Sequence, residues 1–465
     1  MRVFTLIIGF LLSQQIINAQ KENSIWYFGG DYGNPNLPGT GLDFNSGNPI
    51  VLNNSQMGYT EGSAVQCSGN GNLLFYTNGE KIWDKTHTIM PNGNNLGGGV
   101  SSQQSVLIIP FPNDTTKFYL FANAGYPTST GAGLFYSVVD LALNNGNGDI
   151  TSIKKVPMLS QTSEWLTGTW HSNGTDYWVI TSDYDSCIFY SYNISNSGIS
   201  SPVKTNLGFN KLAKLSTIEF SNKGDKMTFS TVGNSSNIAT RMIANFDQSN
   251  GNIFNPIYID SVTNQGACFS PDDNLFYYFG YLKSGNNAEL LYQCDLNSAN
   301  IANSKQLLSS IYMGLHVGMK LGPNGKIYTS NVNSDSIGCI NNPNQIGIGC
   351  NFVNKSIFLN GKLSGVVLPN RTFGKHIKPL TIVENKSETI ISITPNPFDL
   401  DFIVNSSKQL KGFELYNSLG IKIIESTFSN FFESRNVTVN STPGIYFLIL
   451  YDQSDNSYRK TIIKK

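Results

Sequence analysis

Glu61, in the stretch "TEGSA", is the residue of this sequence best suited to hold a ligand, because a carboxylate placed where the chain leads into a strand can accept hydroxyl protons or bind a cation. The plainer alternative is a carboxylate satisfied by adjacent backbone amides. Gln103, Gln104, Glu164, Trp165, His171, Glu219 and His316 stand at comparable points of a recurring pattern. From this set, Glu61, Gln104, Trp165, His171 and His316 form the candidate binding face. The four histidines, His87, His171, His316 and His376, are scattered, which favours hydrogen-bonded structural roles over catalysis. No HExxH, GxSxG, P-loop or dinucleotide fingerprint occurs, so no catalytic residue is assigned and no cofactor is expected. "NNGNGD", residues 144–149, carries a single acid, Asp149, too little charge for a calcium loop, and no metal is expected. Trp26, Trp83, Trp165, Trp170 and Trp178 could include a sugar-stacking platform, although packing between sheets is the plainer role.

A repeat must position these residues. "CSGNGNLLFYTNG" (67–79) is echoed by "FSNKGDKMTFSTVG" (220–233), "FSPDDNLFYYFG" (269–280) and "LGPNGKIYTSNV" (321–332). Each has an apolar residue, a short polar turn and a burst of apolar and aromatic residues. Six copies are anchored at Cys67, Phe111, Trp170, Phe220, Phe269 and Leu321, roughly 44 to 59 residues apart, the period of a propeller blade. A second signal, an aromatic or apolar strand followed by Asp or Asn, polar residues and Ile, marks the hairpin of a third and fourth strand. It is seen in "YNISNSGI" (192–199), "FDQSNGNI" (246–253), "CDLNSANI" (294–301), "VDLALNNGNGDI" (139–150) and "DFNSGNPI" (43–50). The last follows "SIWYFGG" (24–30) and lacks a first strand, which "LSGVVLPNRTFG" (363–374) is expected to supply. The expected fold is all-β: a seven-bladed β-propeller closed by both termini, followed by a small Ig-like β-sandwich. A count of six or eight blades stays open, because the second copy is irregular.

Composition sets the class. The chain has 465 residues, 13% charged and 12% aromatic, with a formal net charge of zero, which excludes neither export nor a folded β protein but disfavours nucleic acid as a partner. Residues 1–19 read as a signal peptide, with Arg2 ahead of an apolar run from Val3 to Leu12 and a small residue at Ala19. Residues 20–376 are the propeller, 377–389 a linker and 390–465 a separate module. Export makes disulfides chemically available, and Cys339 and Cys350 flank a turn-rich segment that could bring them together; two free thiols are the alternative. The other four cysteines sit inside expected strands as small core residues.

In the last module, Phe413, Leu415, Ile421 and Ile423 alternate about Gly420 as a hairpin with one buried face, and Ile445 to Leu450 read as a central strand. Pro395, Asn396 and Pro397, the stretch "LYNSLG" ending at Gly420, "PGIYFLIL" with Gly444 and Tyr446, and the terminal Lys464 and Lys465 resemble the type A C-terminal sorting domain of the type IX secretion system of Bacteroidetes. The resemblance implies passage through the Sec route and then the outer membrane. It implies type IX secretion machinery and a sortase-like peptidase as partners, and a product released or attached to surface lipopolysaccharide. Residues 25–112 likewise resemble the propeller of surface and gliding-associated proteins of those bacteria, a family with no general activity to carry over. The expected function is an exported surface or secreted recognition or adhesion protein with a glycan or protein ligand rather than an enzyme. The alternative is a propeller hydrolase or lyase acting on polysaccharide or peptide.

Overall fold

The computed structural model describes residues 21–31, 34, 37–125, 133–183, 188–209, 218–232, 239–261, 266–281, 288–312, 318–373, 391–418, 421–453 and 457–465. The chain divides into two compact units, Met1–Ile377 and Lys378–Lys465. The proposed signal peptide and linker lie outside the described residues.

The first unit is all-β and holds seven antiparallel sheets in chain order: 25–52, 64–84, 106–159, 167–206, 219–261, 267–312 and 318–358, here sheets 1 to 7. All six anchors read from the repeat are the last residues of first strands: Ala64–Cys67, Val106–Phe111, Thr167–Trp170, Glu219–Phe220, Ala267–Phe269 and Gly318–Leu321. These first strands touch in succession, sheet 2 to sheet 3 and on to sheet 7. The second signal also falls at the hairpins expected, with Asp43 and Ile50, or Phe246 and Ile253, ending and starting consecutive strands.

Strand alternation explains why the apolar bursts are continuous. Successive side chains point to opposite faces of a sheet, and here each face meets another sheet. In sheet 3, Val106 and Ile108 pack on Phe75 and Ile82 of sheet 2, while Leu107 and Ile109 pack on Tyr177 and Val179 of sheet 4. Similar clusters join sheets 1 and 2, 4 and 5, 5 and 6, and 6 and 7. A further cluster sets Trp26 and Phe28 of sheet 1 against Tyr328 and Ile337 of sheet 7. Small sheets stacked face to face with their first strands together are the arrangement of a β-propeller.

Of the two alternatives for Cys339 and Cys350, the free thiols are found. Cys339 faces sheet 1, and Cys350 faces sheet 6 among Tyr277 and Met319, so sheet 7 lies between the two thiols. Both are free and buried, and burial pushes the Cys339 thiol up to about 11.

Residues 363–373 depart from expectation. They do not extend sheet 1, which has three strands. Pro369 has no N–H to give a ladder, and the backbone bond seen to this part of sheet 1 is Gly30 N–H to Leu363 C=O at 3.4 Å. Gly29 and Gly365 meet so closely that a Cβ on Gly365 would lie 2.6 Å from the Gly29 Cα, and both take positive φ. The segment then crosses the first strands. Ser330 Oγ donates to Val366 C=O at 2.6 Å, Asn370 N–H to Ser63 C=O at 2.7 Å, and Asn370 Nδ2 to Val106 and Leu166 C=O at 3.1 and 2.7 Å. Thr372–Phe373 ends it, pairing in parallel with Gly168 and Thr169 of sheet 4.

The second unit is a five-stranded sheet, and residues from both ends of its long strands, Phe402 and Val404 with Phe413 and Leu415, share one core. Its two 17-residue strands, Asp401–Asn417 and Lys422–Thr438, run through both halves. Phe402, Val404 and Leu410 face inward at even positions, but Phe413 and Leu415 do so at odd ones, because register shifts between Asn405 and Gly412 reverse the phase. A further shift after Leu415 leaves Ile421 and Ile423 exposed, contrary to the sequence pattern, and turns Ile424 toward the core instead.

Candidate functional site

Residues leading into the first strands gather at one end of the first unit. Thr60–Ser63 precede sheet 2, Ser102–Ser105 precede sheet 3, Thr162–Leu166 precede sheet 4, and Ile218 precedes sheet 5. Hydrogen bonds tie them together. Gln103 N–H donates to Glu164 Oε2 at 3.0 Å, Thr162 Oγ1 donates to Asn123 Oδ1 at 2.7 Å, and Asn123 Nδ2 donates to Ser163 C=O at 3.0 Å. Gln104 uses both ends of its amide on one residue: Nε2 donates to Ile218 C=O at 2.8 Å, and Oε1 accepts from Ile218 N–H at 3.0 Å. Gln104 is therefore a strut between sheets 3 and 5 and not a free ligand-binding group.

Two carboxylates share this mouth. Burial, and then the charge of Glu164, push the Glu61 carboxyl up to about 7, against a hydrogen bond from Ser101. Burial pushes Glu164 up to about 7 as well, against the bond from the Gln103 amide. Neither acid has an ion pair among the described residues. Near neutrality such a pair exchanges protons readily and attracts hydroxyls or a cation.

The other candidates separate from it. Trp165 is fully buried, its ring 6.0 Å from Phe189 and 6.2 Å from Phe229, so it is core and not a stacking platform. His171 follows the far end of the same first strand, whose four residues alone span roughly 13 Å. There its Nδ1 accepts from Asn173 N–H at 3.0 Å and its ring stacks on Trp178 at 5.5 Å, closing a turn. His316 lies outside the described residues. Glu219 is 1% exposed and pairs with Lys320 at 2.5 Å, beside the buried Arg371. Burial pushes its carboxyl up while Lys320 and Arg371 pull it down. Lys320 and Arg371 were not singled out from the sequence, although a lone Lys inside the apolar stretch "GMKLG" is the kind of signal that marks a buried pair. Ser102 was also missed, having no sequence signal of its own.

In the second unit the sorting-signal residues converge. Asn396 Oδ1 accepts from Ile463 N–H at 2.9 Å, Asn396 Nδ2 donates to Thr461 C=O at 3.2 Å, and Lys465 N–H donates to Phe398 C=O at 2.8 Å. Pro395 and Pro397 both follow cis peptide bonds in the turn that makes these contacts. Lys464 lies 5.3 Å over the Phe398 ring, donates to Asp399 C=O and is paired across the strand with Gly444. Tyr446 is buried and donates to Thr442 C=O at 2.5 Å. Gly420 lies outside the described residues. The first and last motifs of the module, 65 or more residues apart, thus form one clasp.

Residues 392–464 match the family described as secretion system C-terminal sorting domain. The tail is a sorting domain. It marks the chain as type IX secretion cargo, exported to the cell surface or beyond, with the type IX machinery as its partner. No curated protein matches the chain. Among solved structures it is similar to hydrazine synthase of Kuenenia stuttgartiensis (13% identity, 71% of this chain and 80% of that one, TM-score 0.37). It is similar to the periplasmic gluconolactonase of Pseudomonas aeruginosa (11%, 82% and 97%, TM-score 0.35) and to a β-propeller domain from Myceliophteria thermophila (11%, 63% and 88%, TM-score 0.36). Likenesses this weak carry nothing about chemistry.

Proposed function

We propose that this cargo is an exported recognition or adhesion protein whose first unit is a closed seven-bladed ring offering the Glu61 and Glu164 mouth to a glycan or protein ligand. One observation carries the reading. Two carboxyls held near neutrality, without an ion-pair partner among the described residues, sit together at the open ends of the first strands. Such groups accept and donate hydrogen bonds to ligand hydroxyls and amides. Closure of the ring is supported by the cluster between sheets 7 and 1 and by residues 363–373, which bond to sheets 7, 2, 3 and 4 in turn. Residues 1–19 act as the signal peptide in this reading. A sortase-like peptidase then removes the tail, leaving the propeller free or attached to outer-membrane lipopolysaccharide at the cell surface.

Glycan and cell-surface arrays probed with the full chain test the binding claim: wild type captures a ligand and E61Q or E164Q lowers that capture at least tenfold. No capture by the wild type refutes it. Deleting residues 388–465 tests the route, with retention in the periplasm expected; normal appearance outside the cell overturns that role. The same raised carboxyls favour one second reading, a hydrolase or lyase acting on polysaccharide or peptide, since an acid titrating near 7 can serve as general acid or base. Turnover of a substrate panel that is lost in E164Q, with binding kept, would place this reading first.

A further inference from the structure

The stretch "NNGNGD" belongs to the hairpin between the third and fourth strands of sheet 3, Leu134–Asp140 and Asp149–Ile150. This hairpin turns at the end of the sheet away from the mouth, because Leu134 pairs with Asn123 and Asp140 with Lys117. Asp149 serves the wall here. Its carboxylate accepts from the N–H and Nδ2 of Asn92 and from the Ile150 N–H, each at 2.8 Å. Lys85 Nζ donates to Gly146 C=O at 2.8 Å and Lys155 Nζ to Asn95 Oδ1 at 2.9 Å, so this side of sheet 3 is fastened to the turns that follow sheet 2. A cleft of about 600 Å³ lies between the two, inside the range of roughly 300–1,000 Å³ usual for small-ligand sites. Walls tied in this way are set before a ligand arrives, which lowers the ordering cost of binding. Lys154 also lines the cleft, half-buried, and has no hydrogen bond or ion pair among the described residues.

We propose that this cleft binds an acidic saccharide unit, with its carboxylate or sulfate at Lys154, its hydroxyls on Asn144, Thr151 and Ser152, and its carbon face on Pro91 and Leu143. All six residues line the cleft, and Leu143 is 40% exposed. An apolar wall beside amide and hydroxyl groups suits a sugar ring, which carries C–H on its faces and hydroxyls on its edge. Thr151 Oγ1 accepts from the Ile153 N–H at 3.1 Å, which leaves its own proton to donate. The acid of the wall is already occupied by three N–H groups, so the charge left for a ligand is the ammonium of Lys154, a point charge with three donors. A second cleft, also of about 600 Å³, lies against the equivalent hairpin of sheet 6 and is lined by Ser298, Asn300 and Asn303 with no charged residue. Preference for an anion therefore belongs to the sheet 3 cleft. This site goes beyond the reading of the mouth and stands without Glu61 and Glu164.

The test is calorimetric titration of the full chain with trigalacturonate, with a sulfated galactose trisaccharide and with uncharged galactotriose. The expected result is saturable binding of one or both acidic probes, about fivefold tighter than galactotriose, the upper reach of an ion pair at a half-exposed lysine. Which acidic probe binds tells carboxylate from sulfate. K154M removes the preference, K154R keeps it, L143A weakens binding of the acidic probes several-fold, and K355M, a change at an exposed lysine of sheet 7, alters nothing. No saturable binding of either acidic probe, equal affinity for galactotriose, or a preference that survives in K154M overturns the proposal. Equally tight binding of sodium sulfate alone overturns it too, since the cleft would then hold an anion and not a sugar. Binding that persists in E61Q and in E164Q but fails in K154M places the ligand in this cleft, whatever becomes of the mouth. Binding lost in E61Q or E164Q and kept in K154M assigns the ligand to the mouth and removes this site.

Discussion

Two groups of carboxylates occupy the first strands of the propeller unit and the loops before them, and they are treated in opposite ways. Glu219 is buried against Lys320 and Arg371, so its charge is met by cations of sheet 7 and of the crossing segment. Glu61 and Glu164 have no ion pair among the described residues, the charge of Glu164 adds to the burial that raises Glu61, and both carboxyls are pushed up to about 7. In the interior of the propeller unit, charge has been balanced for architecture; at the mouth, it has been left unbalanced. An acid kept in place at a cost to stability accords with the ligand role proposed for the mouth.

The sharpest way to break this contrast is Lys320→Met. It strands Glu219 in the interior and should cost about 3–5 kcal/mol, read by urea unfolding, while the E219Q/K320M pair should recover most of the loss. A K320M variant as stable as wild type would mean that the inner pair balances nothing. Gln104→Ala comes next, at about 1–3 kcal/mol, because it leaves both backbone groups of buried Ile218 without their partner. Glu164→Gln should be neutral or stabilising by the same unfolding measurement, since the amide still accepts the Gln103 bond and removes a buried charge.

The tail offers a milder counterpart. Hydrogen bonds from Lys422, Tyr416 and Tyr451 hold the Glu414 carboxyl down at about 2. A carboxyl lowered in the folded state adds stability above its ordinary value of 4.5 and loses it as pH falls toward about 2. The thermal midpoint of the tail should therefore decline over that window, with a flatter acid limb in E414Q. The smallest effect expected is none: reductant should leave the thermal midpoint unmoved, because Cys339 and Cys350 are already free thiols.

Local patterns carried the architecture. Turn chemistry and alternation located six first strands to the residue, because a polar turn between apolar strands is a short-range signal. What escaped was long-range. Nothing local in "LPNRTFG" says that Asn370 will bond sheets 2, 3 and 4, nor that Gln104 will reach Ile218. Cys339 and Cys350 looked like neighbours along the chain, and only the facing of sheet 7 sets them apart. At the mouth, Glu61 and Glu164 were legible as acids ahead of strands, but their mutual proximity was not. The tail shows the same limit, since its phase reversal between Asn405 and Gly412 depends on bulges that no alternation pattern announces.

Asn370 reaches back 264 residues to Val106 and 204 to Leu166. These bonds belong to the last stretch of the propeller unit to leave the ribosome, so they come late in synthesis, and contacts of such separation are slow to form. A nascent chain halted before residue 363 would hold all of its sheets yet lack the pin that fastens them. The sheets and the segment that fastens them thus arise as two separate events.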